Sequence, residues 1–174
     1  MIVLYIILGI IALLLLAGLV ISKDISATKE IIINKPAGEV FNYIKYIKNQ
    51  DNYSKWASLD PNMKSEQRGT DGTVGFVNHW SGNKKVGEGE QEITAIEEGK
   101  VLYTDLRFIK PFKSFAKAKM TTTEIDAGST KVTWGFESKM NYPMNLMKLF
   151  MNMSEMVGRD FSTGLANLKA LLEK

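Results

Sequence analysis

The stretch from Pro143 to Lys174 sets the tightest limit on what this chain can fold into. At helical spacing, Lys148, Asn152, Glu155, Arg159, Ser162, Lys169 and Glu173 form a narrow polar stripe. Nearly everything else from Met144 to Phe161 is large and apolar, including Leu146, Leu149, Phe150, Met153, Met156 and Val157. Leu165, Leu168, Leu171 and Leu172 continue the apolar side. A helix apolar over so wide an arc has to be covered by something large. Pro143 suits the first helical position, where a missing N–H costs nothing.

The cover is written upstream. From Asp60-Pro61 onward the pattern changes to period two, with turn signals at Asp71-Gly72, Gly82-Asn83, Glu98-Gly99, Lys110-Pro111 and Asp126-Ala127-Gly128. Val74, Phe76 and Trp80 alternate with Gly75, His79 and Ser81, and Val132, Trp134 and Phe136 alternate with Thr133, Gly135 and Glu137. This rhythm predicts six hairpin-linked strands, at about 61–69, 73–81, 84–97, 100–109, 113–126 and 129–140. An earlier strand, about 25–34, carries the β-branched run Ile31-Ile32-Ile33. Between it and the meander, Val40, Phe41, Ile44 and Ile47 mark a short amphipathic helix starting near Pro36, with a second helical turn or two before Trp56. The expected fold class is therefore α+β. A curved seven-stranded antiparallel sheet grips a long C-terminal helix, because no other element is large enough to bury the apolar sheet face. Such a sheet encloses more space than side chains fill, so an apolar hollow is expected between the two.

Met1 to Ile21 contains no charged residue and is dominated by Ile, Leu and Val. About 20 residues at roughly 1.5 Å each match the hydrocarbon thickness of a bilayer. No Lys or Arg precedes the run and no A-x-A-like site follows it, which favours a retained anchor over a cleaved signal peptide. The expected organisation is a transmembrane anchor at 1–22, a linker over 23–28 running into the first strand, and a folded domain over 29–174. Lys23, Lys29 and Lys35 all lie after the span, so a single-pass protein with a cytoplasmic domain is expected.

Cysteine is absent and His79 is the one histidine, which excludes disulfides, thiolate sites and histidine clusters. No metal, cofactor or catalytic set is expected. The net charge of +3, with Lys and Arg dispersed, gives no nucleic-acid footprint. Glu88, Glu90 and Glu92 share one strand face opposite Gly87, Gly89 and Gln91. Three neighbouring carboxylates would repel inside a cavity, so they belong outside, with the glycines giving the inner face volume or a bend. His79 alternates out of phase with Trp80 and should also face out. Asp105 and Arg107 share a face and are assigned no chemistry. The sequons at Asn52 and Asn152 are discounted, the second because it falls in the expected helix.

The opening Ile31-Ile32-Ile33-Asn34-Lys35-Pro36-Ala37-Gly38-Glu39-Val40-Phe41-Asn42-Tyr43-Ile44, then Trp56, resembles the SRPBCC or START-like helix-grip superfamily. That superfamily includes START domains, the birch-pollen allergen family and polyketide cyclase/dehydrase-like proteins. Trp80-Ser81-Gly82-Asn83, Val132-Thr133-Trp134 and Gly164-Leu165-Ala166-Asn167-Leu168-Lys169 agree with it, so the resemblance spans all but the anchor. It implies the fold strongly and, lacking a shared catalytic signature, transfers no catalytic residue. Relatives bind lipids, sterols, quinones or polyketides, and some act on protein partners.

The expected ligand wall comprises Phe76, Trp80, Leu102, Leu106, Phe108, Trp134 and Phe136 from the sheet and Met144, Met147 and Met151 from the helix. The leading expectation is a membrane-tethered binding module for an apolar or amphipathic, lipid-like small molecule. A cyclase or hydrolase in the same hollow would need converging polar side chains, with Asn78, Thr104, Ser114 and Glu137 as the places to look. A domain that regulates a protein partner is the third reading.

Overall fold

The computed structural model describes residues 1–174. An apolar helix, α1 (Ile2–Val20), is followed after three residues by β1 (Asp24–Ile33). Two short helices, α2 (Ala37–Ile44) and α3 (Lys55–Ser58), flank a 3-10 segment, Ile47–Asn52. The meander β2 (Lys64–Arg68), β3 (Val77–Ser81), β4 (Glu88–Glu97), β5 (Val101–Lys110), β6 (Ser114–Asp126) and β7 (Ser129–Lys139) leads to α4 (Met153–Leu172). All seven strands form one antiparallel sheet in the order β1-β7-β6-β5-β4-β3-β2. β2 is an all-exposed edge strand, shorter than its sequence pattern suggests.

α4 lies along β1 and β7 through a narrow line of buried positions: Gly158, Phe161, Gly164, Leu165 and Leu168. The two glycines are points of close approach. A Cβ on Gly164 would sit 3.0 Å from the Trp134 ring, and one on Gly158 would sit 3.0 Å from Lys29 Cε. Phe161 stacks on Trp134 with ring centres 4.4 Å apart and planes 8° from parallel. Ala27, Ile33, Val40, Phe41, Ile44, Tyr53, Met120, Val132 and Leu168 complete this main core. The far end of α4 is tied to β1, where Lys169 Nζ donates to the Ile32 carbonyl and the Asn34 N–H donates to Glu173.

The helix departs from the sequence expectation at its start. Residues 143–152 are not part of it: Met144–Leu149 form a 3-10 turn, and α4 begins after Asn152, whose side chain accepts the Glu155 N–H. The apolar arc read across Pro143–Lys174 therefore merges two segments with different partners. The 3-10 turn packs on the end of α1, where a Cβ on Gly18 would meet Tyr142 at 3.0 Å and Leu146 at 3.1 Å. Asn145, fully buried, donates from Nδ2 to the Gly18 and Ile21 carbonyls at 2.7 and 3.0 Å. Lys148 Nζ donates to the Ser22 and Asp24 carbonyls. The Asn145 amide thus satisfies carbonyls that the end of α1 leaves open, and Lys148 bonds the chain just beyond it.

The buried Tyr53 phenol donates to Met120 Sδ at 3.5 Å, and burial pushes its pKa far above the ordinary 10.0. The folded state thus favours the neutral phenol. Its contribution is intact below pH 10.0 and is lost as pH rises through and beyond that value. Tyr53→Phe should flatten the alkaline fall in melting temperature while changing the neutral-pH value little. An unchanged alkaline limb in the thermal scans would refute this.

Candidate functional site

The sheet register divides the side chains into two faces. On the outer face, Glu88, Glu90 and Glu92 line up as expected, and each meets a cation across the strands. Lys110 pairs with Glu88 at 2.5 Å, Arg68 with Glu90 at 2.7 Å, and Arg107 with both Glu92 and Glu90. Arg107 thus pairs across to β4 rather than along its own strand to Asp105. The Lys110 hydrogen bond holds the Glu88 carboxyl below its ordinary range. His79 lies on the same outer face, 3.5 Å from Glu88. This is a neutralised cross-strand ladder, with no open carboxylate pair for acid–base work.

The inner face divides along its length. At the far end from α1, Trp134 is enclosed in the main core, and Phe76 and Leu102 are enclosed with Ile47 and Ile93 in a second cluster. Toward the α1 end, Trp80, Leu106 and Phe108 belong to neither cluster and are only half-buried. Trp80 and Phe108 meet edge to face at 5.8 Å, and Phe136, also half-buried, meets Phe161 at 6.3 Å. Gly89 sits beneath Trp80: a Cβ there would come within 2.5 Å of the indole and 2.6 Å of the Arg107 carbonyl. The volume that Gly89 frees is thus occupied by Trp80 rather than added to a hollow.

At this end of the sheet, the inner positions of β3 to β7 and β1 carry no carboxylate and no histidine. Their polar members are Asn78, Gln91, Thr104, Ser114 and Ser138. Gln91 Nε2 donates to Thr104 Oγ1 at 3.5 Å, and Ser65 donates to Asn78. Gln91 was not singled out from the sequence, although its pairing opposite Leu106 follows from the strand alternation. Glu137 faces outward opposite Lys117 and Ser26, so it does not converge with Asn78 and Thr104.

Met144, Met147 and Met151 do not sit on the long helix. The first two are half-buried on the 3-10 turn beside α1, and Met151 is exposed. The helix reading missed this because apolar side chains docked on a second helix repeat much as a continued helix would. Two depressions, of about 230 and 640 Å³, open beside outward-facing residues such as Tyr103, Asp105 and Lys117, or Ser26, Glu137 and Lys139. Neither is lined by Trp80, Leu106, Phe108 or Phe136.

Residues 24–173 match a family model described as polyketide cyclase/dehydrase and lipid transport. No protein of curated function matches the chain by sequence. Among solved structures, truncated norcoclaurine synthase from Thalictrum flavum superposes with a TM-score of 0.66 at 10% identity, covering 88% of this chain and 96% of its own. A protein from Mesorhizobium loti gives 0.61 at 15% identity, over 85% and 96%. The structure of Ara h 8.0201 gives 0.57 at 14% identity, over 87% and 99%. At such identities the likeness establishes the shared fold.

Proposed function

The chain belongs to the polyketide cyclase/dehydrase and lipid transport family, and from that premise we propose that it is a membrane-tethered module binding an apolar or amphipathic, lipid-like molecule. The observation that carries this reading is the half-buried Trp80–Leu106–Phe108 surface, left out of both core clusters at the α1 end of the grip. Phe136 extends it, and Met144 and Met147 reach the same end. Apolar walls with a few polar groups suit such a ligand, and Gln91, Thr104 and Asn78 supply those groups. The missing carboxylates and histidine favour binding over acid–base catalysis.

α1 supports the tether. It has 19 residues, is apolar throughout, and is almost wholly unburied by the domain. The lysines that follow it favour a cytoplasmic domain. Full-length protein purified in mild detergent should release one stoichiometric lipid-like species on solvent extraction, with the same mass retained in native mass spectrometry. Recovery of detergent and bulk lipid alone, together with no uptake of an apolar fluorescent probe, would refute the binding role.

A further inference from the structure

We infer that the rim of the domain around α1 is a second membrane contact, seated on an anionic bilayer surface. This rests on the proposal that α1 crosses the membrane. Only Ile21, Ser22 and Lys23 separate α1 from β1, a reach of about 10 Å. From the 3-10 turn, Asn145 donates to the Gly18 and Ile21 carbonyls and Lys148 to the Ser22 and Asp24 carbonyls, on both sides of that connection. The domain therefore cannot swing away, and whatever lies level with the end of α1 meets the headgroups.

The register identifies what lies there. Ser138 pairs with both Ile25 and Ala116, which sets Phe115 level with the Asp24–Lys139 pair. Phe112, at the tip of the β5–β6 hairpin, lies three residues farther on, about 10 Å, as does Ile21 on the other side of Asp24. The β3–β4 turn packs on this hairpin, since a Cβ on Gly87 would fall 2.2 Å from the Lys110 carbonyl. Lys148 brings its neighbours Leu149 and Phe150 to the same level.

Large apolar side chains stand out of this rim: Phe112 is 62% exposed, Leu149 51% and Phe150 78%. Lys23, Lys84, Lys85 and Lys113 are exposed around them and form no ion pair. The turns at the opposite end carry Glu97, Glu98, Glu124 and Asp126 beside Lys100, and the rim also holds Asp24 and Asp60, so it is the hairpin turns that differ in net sign between the two ends. Aromatic points ringed by lysines fit an interface of headgroups over acyl chains, and a soluble protein partner would not explain their alignment with the helix end.

The absence of native cysteine allows a direct test with full-length protein reconstituted in vesicles. Phe112→Cys, Phe150→Cys and, at the far end, Val74→Cys would each carry an environment-sensitive fluorophore. In phosphatidylcholine vesicles containing phosphatidylglycerol, emission at 112 and 150 should shift to the blue and be quenched by lipid-borne nitroxides, while 74 stays water-quenched. Lys84→Glu with Lys113→Glu should reduce the phosphatidylglycerol dependence of that shift. If the chain resists alkaline carbonate extraction yet all three sites remain water-quenched, the rim contact is refuted and the tether stands. If carbonate strips the chain from the vesicles, the tether fails and the rim contact with it.

Discussion

Replacing Phe161 by alanine should lower the unfolding free energy by about 3–5 kcal/mol, the cost of truncating a buried aromatic and leaving a cavity. Phe161 is 2% exposed and joins the grip at three points. It stacks on Trp134 of β7, meets Trp56 of α3 edge to face at 5.8 Å, and touches Phe136 at 6.3 Å. Such aromatic pairs contribute about 0.5–1.5 kcal/mol beyond burial alone. Collapse into the gap is hindered because Gly164 and Tyr53 already close the space around Trp134. Thermal and denaturant unfolding of the full-length protein in detergent, followed by near-ultraviolet circular dichroism, would read the loss. Met156→Ala, at a position 45% exposed on the same helix, should change stability by less than about 0.5 kcal/mol. Equal effects at both sites would mean that α4 is not held by the Trp134 stack.

The second large effect concerns the ligand. Phe108→Ala should weaken retention of the proposed lipid-like molecule by about tenfold to a hundredfold, from a loss of about 1.5–3 kcal/mol of apolar contact. Phe108 is half-buried and outside both clusters, so its loss should destabilise the fold far less than that of Phe161. The two variants therefore separate the core from the wall. Extractable ligand per protein would be compared with melting temperature in one preparation. A Phe108→Ala protein that keeps its ligand but melts as low as Phe161→Ala would reassign Phe108 to the core.

The proposed tether gives these numbers a setting. An apolar ligand partitions into the bilayer, and the half-buried surface lies at the end of the grip from which α1 departs. Asn145 and Lys148 join the anchor to the domain through backbone carbonyls, so the arrangement depends on the path of the chain rather than on anchor side chains.

Much of this was legible in the residues. Alternation in the strands assigned Glu88, Glu90 and Glu92 outward and Trp80, Leu106 and Phe108 inward, because side chains in an extended chain must alternate. The wide apolar arc of Met144–Phe161 misled for an equally physical reason. Periodicity reports that a face is covered and says nothing of what covers it. Leu146 is covered by the end of α1, whereas Phe161 and Leu165 are covered by the sheet.

The seven strands in their order of appearance, the face of each strand residue and the apolar span at the start could all be read from the residues, whereas the start of the last helix could not. These follow from local periodicity and backbone preference, which act over a few residues. Tertiary structure alone decided that Phe76, Leu102 and Trp134 are sealed while Trp80, Leu106 and Phe108 are not. It also decided that Trp80 takes the space above Gly89 and that Asn145 caps the end of α1. Each of those outcomes depends on packing between residues far apart in the chain, where the shape of the partner, and no local pattern, sets the contact.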